Sequence, residues 1–356
     1  MADHPALTWP TLLNRLVAGT DLTLGETTWA MEQVMSGQAS AAQIAGFAVS
    51  LRAKGETPDE INNMARTLLG HATGRIVLDR TAVDVVGTGG DGANTVNIST
   101  MAAIVTAAAG APVLKHGNRA ASSKSGTADV LEALGILVDQ PADGVRACFD
   151  DLDIGFCYAP RFHPALRHTS GPRRELGIPT AFNLLGPLAN PGQPSAGLIG
   201  CANARLAPVL AGAFAARGAT VLVVRGDDGL DELTTTTTST VWQVQNGVVH
   251  PTSVDPARLG IPTATPEALR GGDATENAKV IRELVAGKTG PIRDAVVLNA
   301  AGAIAAYRGF SDHLDADLRA AMATANEALD SGAAATLLTR WAAWRPPVST
   351  AREPVQ

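Results

Sequence analysis

Residues 85–100 read VVGTGGDGANTVNIST. Gly87, Gly89 and Gly92 fit the spacing G-x-G-x-x-G directly after the short apolar run Val83–Val86. Glycines let a backbone approach a phosphate closely and turn its N–H groups inward, and a helix N-terminus favours the anion. Such a loop can hold a dinucleotide, hold another phosphorylated ligand, or be a plain glycine-rich turn. A dinucleotide fold needs the helix to begin within the motif and an acidic residue about twenty positions on, at the end of the next strand. Neither condition is met. The following helix, residues 99–109, is capped at Ser99, and the next strand, Ala111–Leu114, runs into Lys115-His116. Asn97, Ser99 and Thr100 add amide and hydroxyl groups suited to phosphate, ribose or a hydrated magnesium ion.

Upstream, residues 1–72 read as four short helices. Ser40 with Gln43, and Thr57-Pro58 with Glu60, form capping boxes, and Gly19, Gly37 and Gly55 stand where helices should stop. Downstream, strands at Ile154–Tyr158 and Thr220–Val224 alternate with helical segments, one of them at 126–134. That alternation implies a largely parallel sheet covered on both faces. Asn246-Gly247 between Val241–Gln245 and Val248–His250 marks a β-hairpin. Thr234–Thr238 reads as loop and edge strand, 273–287 and 314–345 as helix, and roughly the last ten residues as frayed. The expected fold class is α/β: a small all-helical domain over residues 1–72 and a large α/β domain over 75–345 with a mainly parallel central sheet.

At 356 residues the chain has ample core for two such units. A net charge of −6 argues against non-specific binding to nucleic acid or an anionic membrane. No apolar run approaches a membrane span, and the opening MADHPALTWP lacks a basic and then apolar signal region, so a cytoplasmic location is expected. Cys148, Cys157 and Cys201 form no C-x-x-C pair, which argues against a disulfide scaffold. The seven histidines show no zinc-binding spacing.

In open parallel sheets, ligands bind beyond the carboxyl ends of the strands. Three further polar loops occupy such positions. Lys115–Ser125, KHGNRAASSKS, packs three cations and several serines after a strand and before a helix, either as an anion site or as a solvated loop. In Pro160–Asn190, Arg173 and Arg174 offer a planar fork to a carboxylate or make ordinary salt bridges. Arg225–Leu233, RGDDGLDEL, places Asp227, Asp228, Asp231 and Glu232 together, as a magnesium site or as a solvated acidic turn. Opposite charges on one rim suggest a polyphosphate substrate, a magnesium ion and a second small substrate, and hence group transfer rather than hydride transfer.

With these residues in view, the chain resembles the anthranilate phosphoribosyltransferases of tryptophan biosynthesis. GTGGDG with NIST, KHGNRAASSKSG, GFCYAPRFHPA, PRRELGIPTAFNLLGPLANP and DGLDELTTT occur in the family's order over nearly the whole chain. The resemblance implies a fold like that of the pyrimidine nucleoside phosphorylases, with a segment near 164–186 returning to the helical domain and the active site in the interdomain cleft. It implies a homodimer formed through the helical domain, magnesium as cofactor with two ions, and anthranilate and phosphoribosyl pyrophosphate as substrates. Carried over residue by residue, Gly87, Gly90, Asp91, Thr95, Asn97, Ile98, Ser99 and Thr100 would hold phosphoribosyl pyrophosphate. Lys115, His116, Gly117, Asn118, Arg119, Ala120, Ala121, Ser122, Ser123 and Thr127 would complete that site. Gly87, Asn118 and Arg173 would bind anthranilate, Arg173 facing its carboxylate, and Ser99, Asp231 and Glu232 would bind the metal. Thr127 stands where serine is common, and its hydroxyl survives the change.

The implied reaction is attack by the anthranilate amine on the ribose anomeric carbon, with pyrophosphate leaving and Lys115 and magnesium stabilising its charge. No covalent nucleophile is evident, and His116 is a candidate acceptor for the amine's proton or simply a wall of the pocket. Three rivals fit parts of the pattern: a nucleoside phosphorylase, an NADP oxidoreductase using Lys115, and a non-catalytic nucleic-acid binder. The PRREL…GPLANP segment with the Asp231-Glu232 pair, the failed dinucleotide geometry and the acidic balance disfavour them in turn.

Overall fold

The computed structural model describes residues 7–120 and 124–346. Four helices come first: α1 (Trp9–Val17), α2 (Leu24–Met35), α3 (Ala41–Lys54) and α4 (Pro58–Gly70). Their starts are chemically explicit. Thr23, Ser40 and Thr57 each accept from the N3 backbone N–H while Glu26, Gln43 and Glu60 reach back, satisfying donors that have no partner within the helix. α3 stops at Gly55, whose φ of 97° suits glycine.

The rest of the chain winds in α/β fashion: β1 (Val83–Gly87), α5 (Ile98–Ala108), β2 (Val113–Gly117), α6 (Thr127–Ala133), α7 (Ala142–Leu152) and β3 (Ile154–Tyr158). Next come the short α8 (Ala159–Phe162), α9 (Arg167–Leu176) and short α10 (Leu185–Leu188), then β4 (Ala196–Gly200), α11 (Ala207–Ala216) and β5 (Thr220–Gly226). The hairpin β6 (Ser239–Gln245) and β7 (Val248–Val254) is followed by α12 (Ala274–Val285), α13 (Pro291–Arg308), α14 (Leu314–Asp330) and α15 (Ala333–Ala343). The seven strands form one sheet in the order β3-β2-β1-β4-β5-β6-β7, parallel from β3 to β5 and antiparallel thereafter. Positive φ at Asn246 and Gly247 makes the hairpin turn.

One face of the sheet packs on α5 and α13, which α14 and α15 cover in turn, through a core that includes Val85, Leu198, Leu222 and Val224. The other face, with Val86, Ile199, Val221 and Val223, shares a core with α11 and the first four helices. α9 packs on α2 and α3, and the turn Ala181–Leu184 also packs on α3. No helix among the described residues is long and apolar enough to cross a membrane.

Several expectations are corrected. α5 begins at Ile98 with Asn97 in the cap position, so Ser99 lies in the first turn and is no cap. β2 extends through Gly117, which places Lys115 and His116 inside a strand rather than in a loop. Thr234–Thr238 is loop alone, and the edge belongs to β7. β4 and α13 were not anticipated, and 314–345 is broken at Gly332, whose φ is 78°. The terminus expected to fray, from residue 347, lies outside the described residues.

Candidate active site

Strand order reverses direction between β2-β1 and β4-β5, so the loops leaving β1 and β4 diverge and open a crevice at their carboxyl ends. A cavity of about 460 Å³ lies there. Its wall brings together Gly87, Gly90, Asp91, Thr95, Asn97, Ile98, Ser99, Lys115, His116, Gly117, Asn118, Arg119, Ala120, Thr127, Arg173, Asp231 and Glu232. Of the expected residues that are described, Thr100 is not on the wall. Thr100 is buried in α5, its hydroxyl donating to Thr127 Oγ1 at 3.4 Å. Ala121, Ser122 and Ser123 lie outside the described residues.

The glycine loop owes its shape to backbone freedom. Gly89, Gly90 and Gly92 all have φ between 67° and 82°, a region that side chains disfavour. Gly87 and Gly200, paired across β1 and β4, serve close approach instead. A Cβ at Gly87 would strike the Asp231 carboxylate, and one at Gly200 would strike the Asp231 carbonyl oxygen. Asp231 is thereby pressed onto the sheet, where its Oδ2 accepts from Gly89 N–H at 2.7 Å.

The four acidic residues after β5 divide into two pairs. Asp227 accepts from the Thr238 and Thr240 hydroxyls, and Asp228 from those of Thr234 and Thr236, so this pair and the threonine run form a structural clamp. Asp231 and Glu232 turn into the cleft. Burial, reinforced by the charge of Asp91, pushes the Asp231 carboxyl up to about 7. Burial and then Asp231 raise Glu232 as well, against the opposing pull of Lys115 and the Ser99 N–H. The Lys115 ammonium is buried, donates to the Val85 carbonyl and lies 3.4 Å from Ser99 Oγ. Burial lowers its pKa while Asp84, Glu232 and Asp231 oppose the fall. Asp91, Asp231 and Glu232 are thus crowded together, with Lys115 opposing the rise at Glu232. Ser99, Asp231 and Glu232 offer only oxygen, the donor set of a hard divalent cation. Among the described residues no three His, Cys, Asp or Glu side chains form a ready metal cluster. Magnesium takes one or two carboxylates and completes its shell with water and substrate phosphate.

Other wall residues have their side chains engaged. Asn97 accepts from Asn277 at 2.8 Å and donates to the Ser125 carbonyl at 3.2 Å, bracing the loop instead of capping α5. Arg119 is turned away, paired with Asp129 and Glu132 and donating to the Tyr158 hydroxyl at 3.1 Å. Asp129 also accepts from Ala120 and Gly126 N–H, tying both ends of the loop to α6. His116 is fully buried, and burial together with His163 pushes its pKa down to about 3. Its Nδ1 donates to the Gly186 carbonyl at 2.9 Å, and His163 Nε2 donates to that of Ala189 at 2.6 Å. The two neutral imidazoles hold the turn 186–189, and an imidazole so weakly basic is a poor acceptor for the amine's proton. Arg173, half-buried on α9, makes no ion pair among the described residues, and burial alone lowers its pKa. Arg174 is exposed and is not on the cavity wall.

Residues missed from the sequence include Gly200, Asn277, Phe182 and Gly186. The first belongs to the unanticipated β4, and the last two sit in the TAFNLLGPLANP stretch, whose proline and glycine punctuation is their one local signal.

Comparison with known proteins agrees with this geometry. Residues 79–335 match the glycosyl transferase family, a/b domain, and residues 10–72 match the glycosyl transferase family, helical bundle domain. Anthranilate phosphoribosyltransferase from Saccharopolyspora erythraea is 62% identical over 94% of this chain and 95% of its own length. That of Rhodococcus jostii is 57% identical over 95% and 94%. The crystal structure of anthranilate phosphoribosyltransferase from Thermus thermophilus superposes with a TM-score of 0.86 at 40% identity, covering 93% of this chain and 98% of the other. The enzyme from Saccharomyces cerevisiae, in complex with PRPP and Mg, gives a TM-score of 0.85 at 27% identity, covering 94% and 97%. With the divided acidic loop, the buried Lys115 and Arg173 converging on the β1–β4 crevice, the chain belongs to the anthranilate phosphoribosyltransferases.

Proposed function

We propose that the protein transfers the phosphoribosyl group of 5-phosphoribosyl 1-pyrophosphate to the amine of anthranilate, the second step of tryptophan biosynthesis from chorismate. The C–N bond forms at the ribose anomeric carbon as the bond to pyrophosphate breaks, and the amine gives up a proton. The observation that carries this reading is one cleft holding the Asp231 and Glu232 carboxylates beside a buried ammonium and also a guanidinium that has no ion pair among the described residues. An aromatic amine is uncharged at neutral pH and needs no strong base before attack. The demands on the chain are therefore positioning and stabilisation of charge on the leaving group.

Gly87–Gly92, Thr95, Asn97–Ser99 and Lys115–Ala120 with Thr127 would line the phosphoribosyl pyrophosphate end, and Asn118 and Arg173 the anthranilate end. Ser99, Asp231 and Glu232 would hold magnesium, two ions in our reading, and bound magnesium would supply neutralisation of charge on pyrophosphate. Arg173 would orient anthranilate through its carboxylate. We read the helical unit as residues 1–72 with the return segment near 164–186, and the α/β unit as 75–345, the cleft between them closing to exclude water. Exposed Val17, Leu24 and Val49 on α1–α3 support a homodimer formed through the helical unit, and three buried free thiols suit a cytoplasmic location.

The test is ³¹P NMR of purified protein with phosphoribosyl pyrophosphate, with and without anthranilate, magnesium and chelator. Release of pyrophosphate only when anthranilate and magnesium are both present supports the reading. Release without anthranilate, or undiminished by chelator, contradicts it.

A further inference from the structure

A second cavity, of about 320 Å³, lies toward the amino-terminal ends of β4 and β5, away from the active-site crevice and sharing none of its lining residues. Its walls are partly apolar, with Leu69, Ile199 and Phe214, and it contains two arginines, Arg66 from α4 and Arg217 just after α11. Arg217 is half-buried, and desolvation pushes its pKa down to about 10. Its Nε donates to Asn62 Oδ1 at 2.7 Å and its Nη1 to the Leu188 carbonyl at 2.8 Å. No ion pair joins it to a carboxylate among the described residues, and Arg66, exposed at the rim, has no polar partner there at all.

A guanidinium taken out of water without a counterion is costly, and native proteins pair such charges. The one acid on this wall, Asp84, does not serve. Its carboxylate accepts from His116 N–H at 3.2 Å and Asn190 Nδ2 at 2.9 Å, and it forms no ion pair with either arginine. Two guanidinium groups without a carboxylate partner among the described residues, apolar side walls and a volume fit for a small molecule define one class of occupant. We infer that this cavity is a second ligand site, taking a small organic carboxylate whose head pairs with Arg217 and Arg66 and whose apolar body lies against Leu69, Ile199 and Phe214.

The probe is 3-(4-fluorophenyl)propionate, followed by ¹⁹F NMR line broadening on the full chain. Because the carboxylate of this probe could also meet Arg173, the titration is repeated on Arg173→Ala, Arg217→Gln and Arg66→Gln. The expected result is saturable binding that survives Arg173→Ala and weakens about tenfold or more in Arg217→Gln and Arg66→Gln, as loss of a charge-assisted hydrogen bond requires. The neutral amide of the probe should bind weaker by a similar factor. No saturable binding to the native chain, equal binding of acid and amide, or binding removed by Arg173→Ala and untouched by Arg66→Gln would each overturn the proposal. Should Arg217→Gln fail to fold, the exposed Arg66 and the amide decide the matter alone.

Discussion

Arg173 and Arg174 are adjacent and chemically identical, yet one lines the cleft half-buried and the other is in solvent. Helical geometry separates them by about 100°, which no local motif announces. Arg173→Ala should raise the anthranilate KM by about tenfold or more through loss of a charged fork. The KM for phosphoribosyl pyrophosphate should move far less, and equal effects in steady-state kinetics would refute the carboxylate assignment. His116 gives a stability prediction. Its folded pKa of about 3 lies below the ordinary 6.5. Above pH 6.5 both states are neutral and nothing is gained or lost. Below it the unfolded chain takes up a proton that the folded chain refuses, so stability falls as pH falls. Between pH 7.5 and 5.0 the loss from this one group is about 2 kcal/mol. Urea denaturation at the two pH values should show His116→Gln losing less than the native chain by that amount, whereas parallel losses would mean His116 is solvated or charged in the fold.

Buried strands such as β1, β2 and β3 could be read from short apolar runs that end in polar or glycine-rich loops, whereas β4 and α13 could not. The capped helices α3 and α4 and the hairpin announce themselves through polar residues at fixed positions, while the similar box of α2 went unread. β4, AGLIG, is buried throughout and offers no alternation, and α13 is buried along most of its length and shows little amphipathic period. Missing β4 hid the crevice, because the direction of strand order changes between β1 and β4. The acidic loop shows the same limit: four carboxylates look alike in sequence, and only the threonine hydroxyls following them tell the clamp pair from the cleft pair. Asp228→Ala should leave the Thr234 and Thr236 hydroxyls without their acceptor and cost about 1–3 kcal/mol, read from denaturant midpoints. Asp231→Asn should do the opposite. Removing one of three crowded carboxylates should raise the melting temperature of the metal-free chain while abolishing magnesium-dependent turnover. A fall in melting temperature, or retained magnesium dependence, would remove Asp231 from the site.

Central to the molecule is the close passage of Asp231 over Gly87 of β1 and Gly200 of β4. Gly87 and Gly200 make that approach possible, and it sets the carboxylates beside the first turn of α5 and the buried Lys115. Gly200→Ala should displace the acidic loop and depress kcat/KM more than stability, with the reverse pattern contradicting this packing. The helical layer completes the cleft from the other side, since α9 carries Arg173 while packing on α2 and α3. Anthranilate is fluorescent, so the transfer can be followed directly with purified protein, phosphoribosyl pyrophosphate and magnesium, with and without chelator. A loss of anthranilate fluorescence that requires both the second substrate and free magnesium is the predicted result. Unchanged fluorescence from a folded protein under those conditions would contradict it.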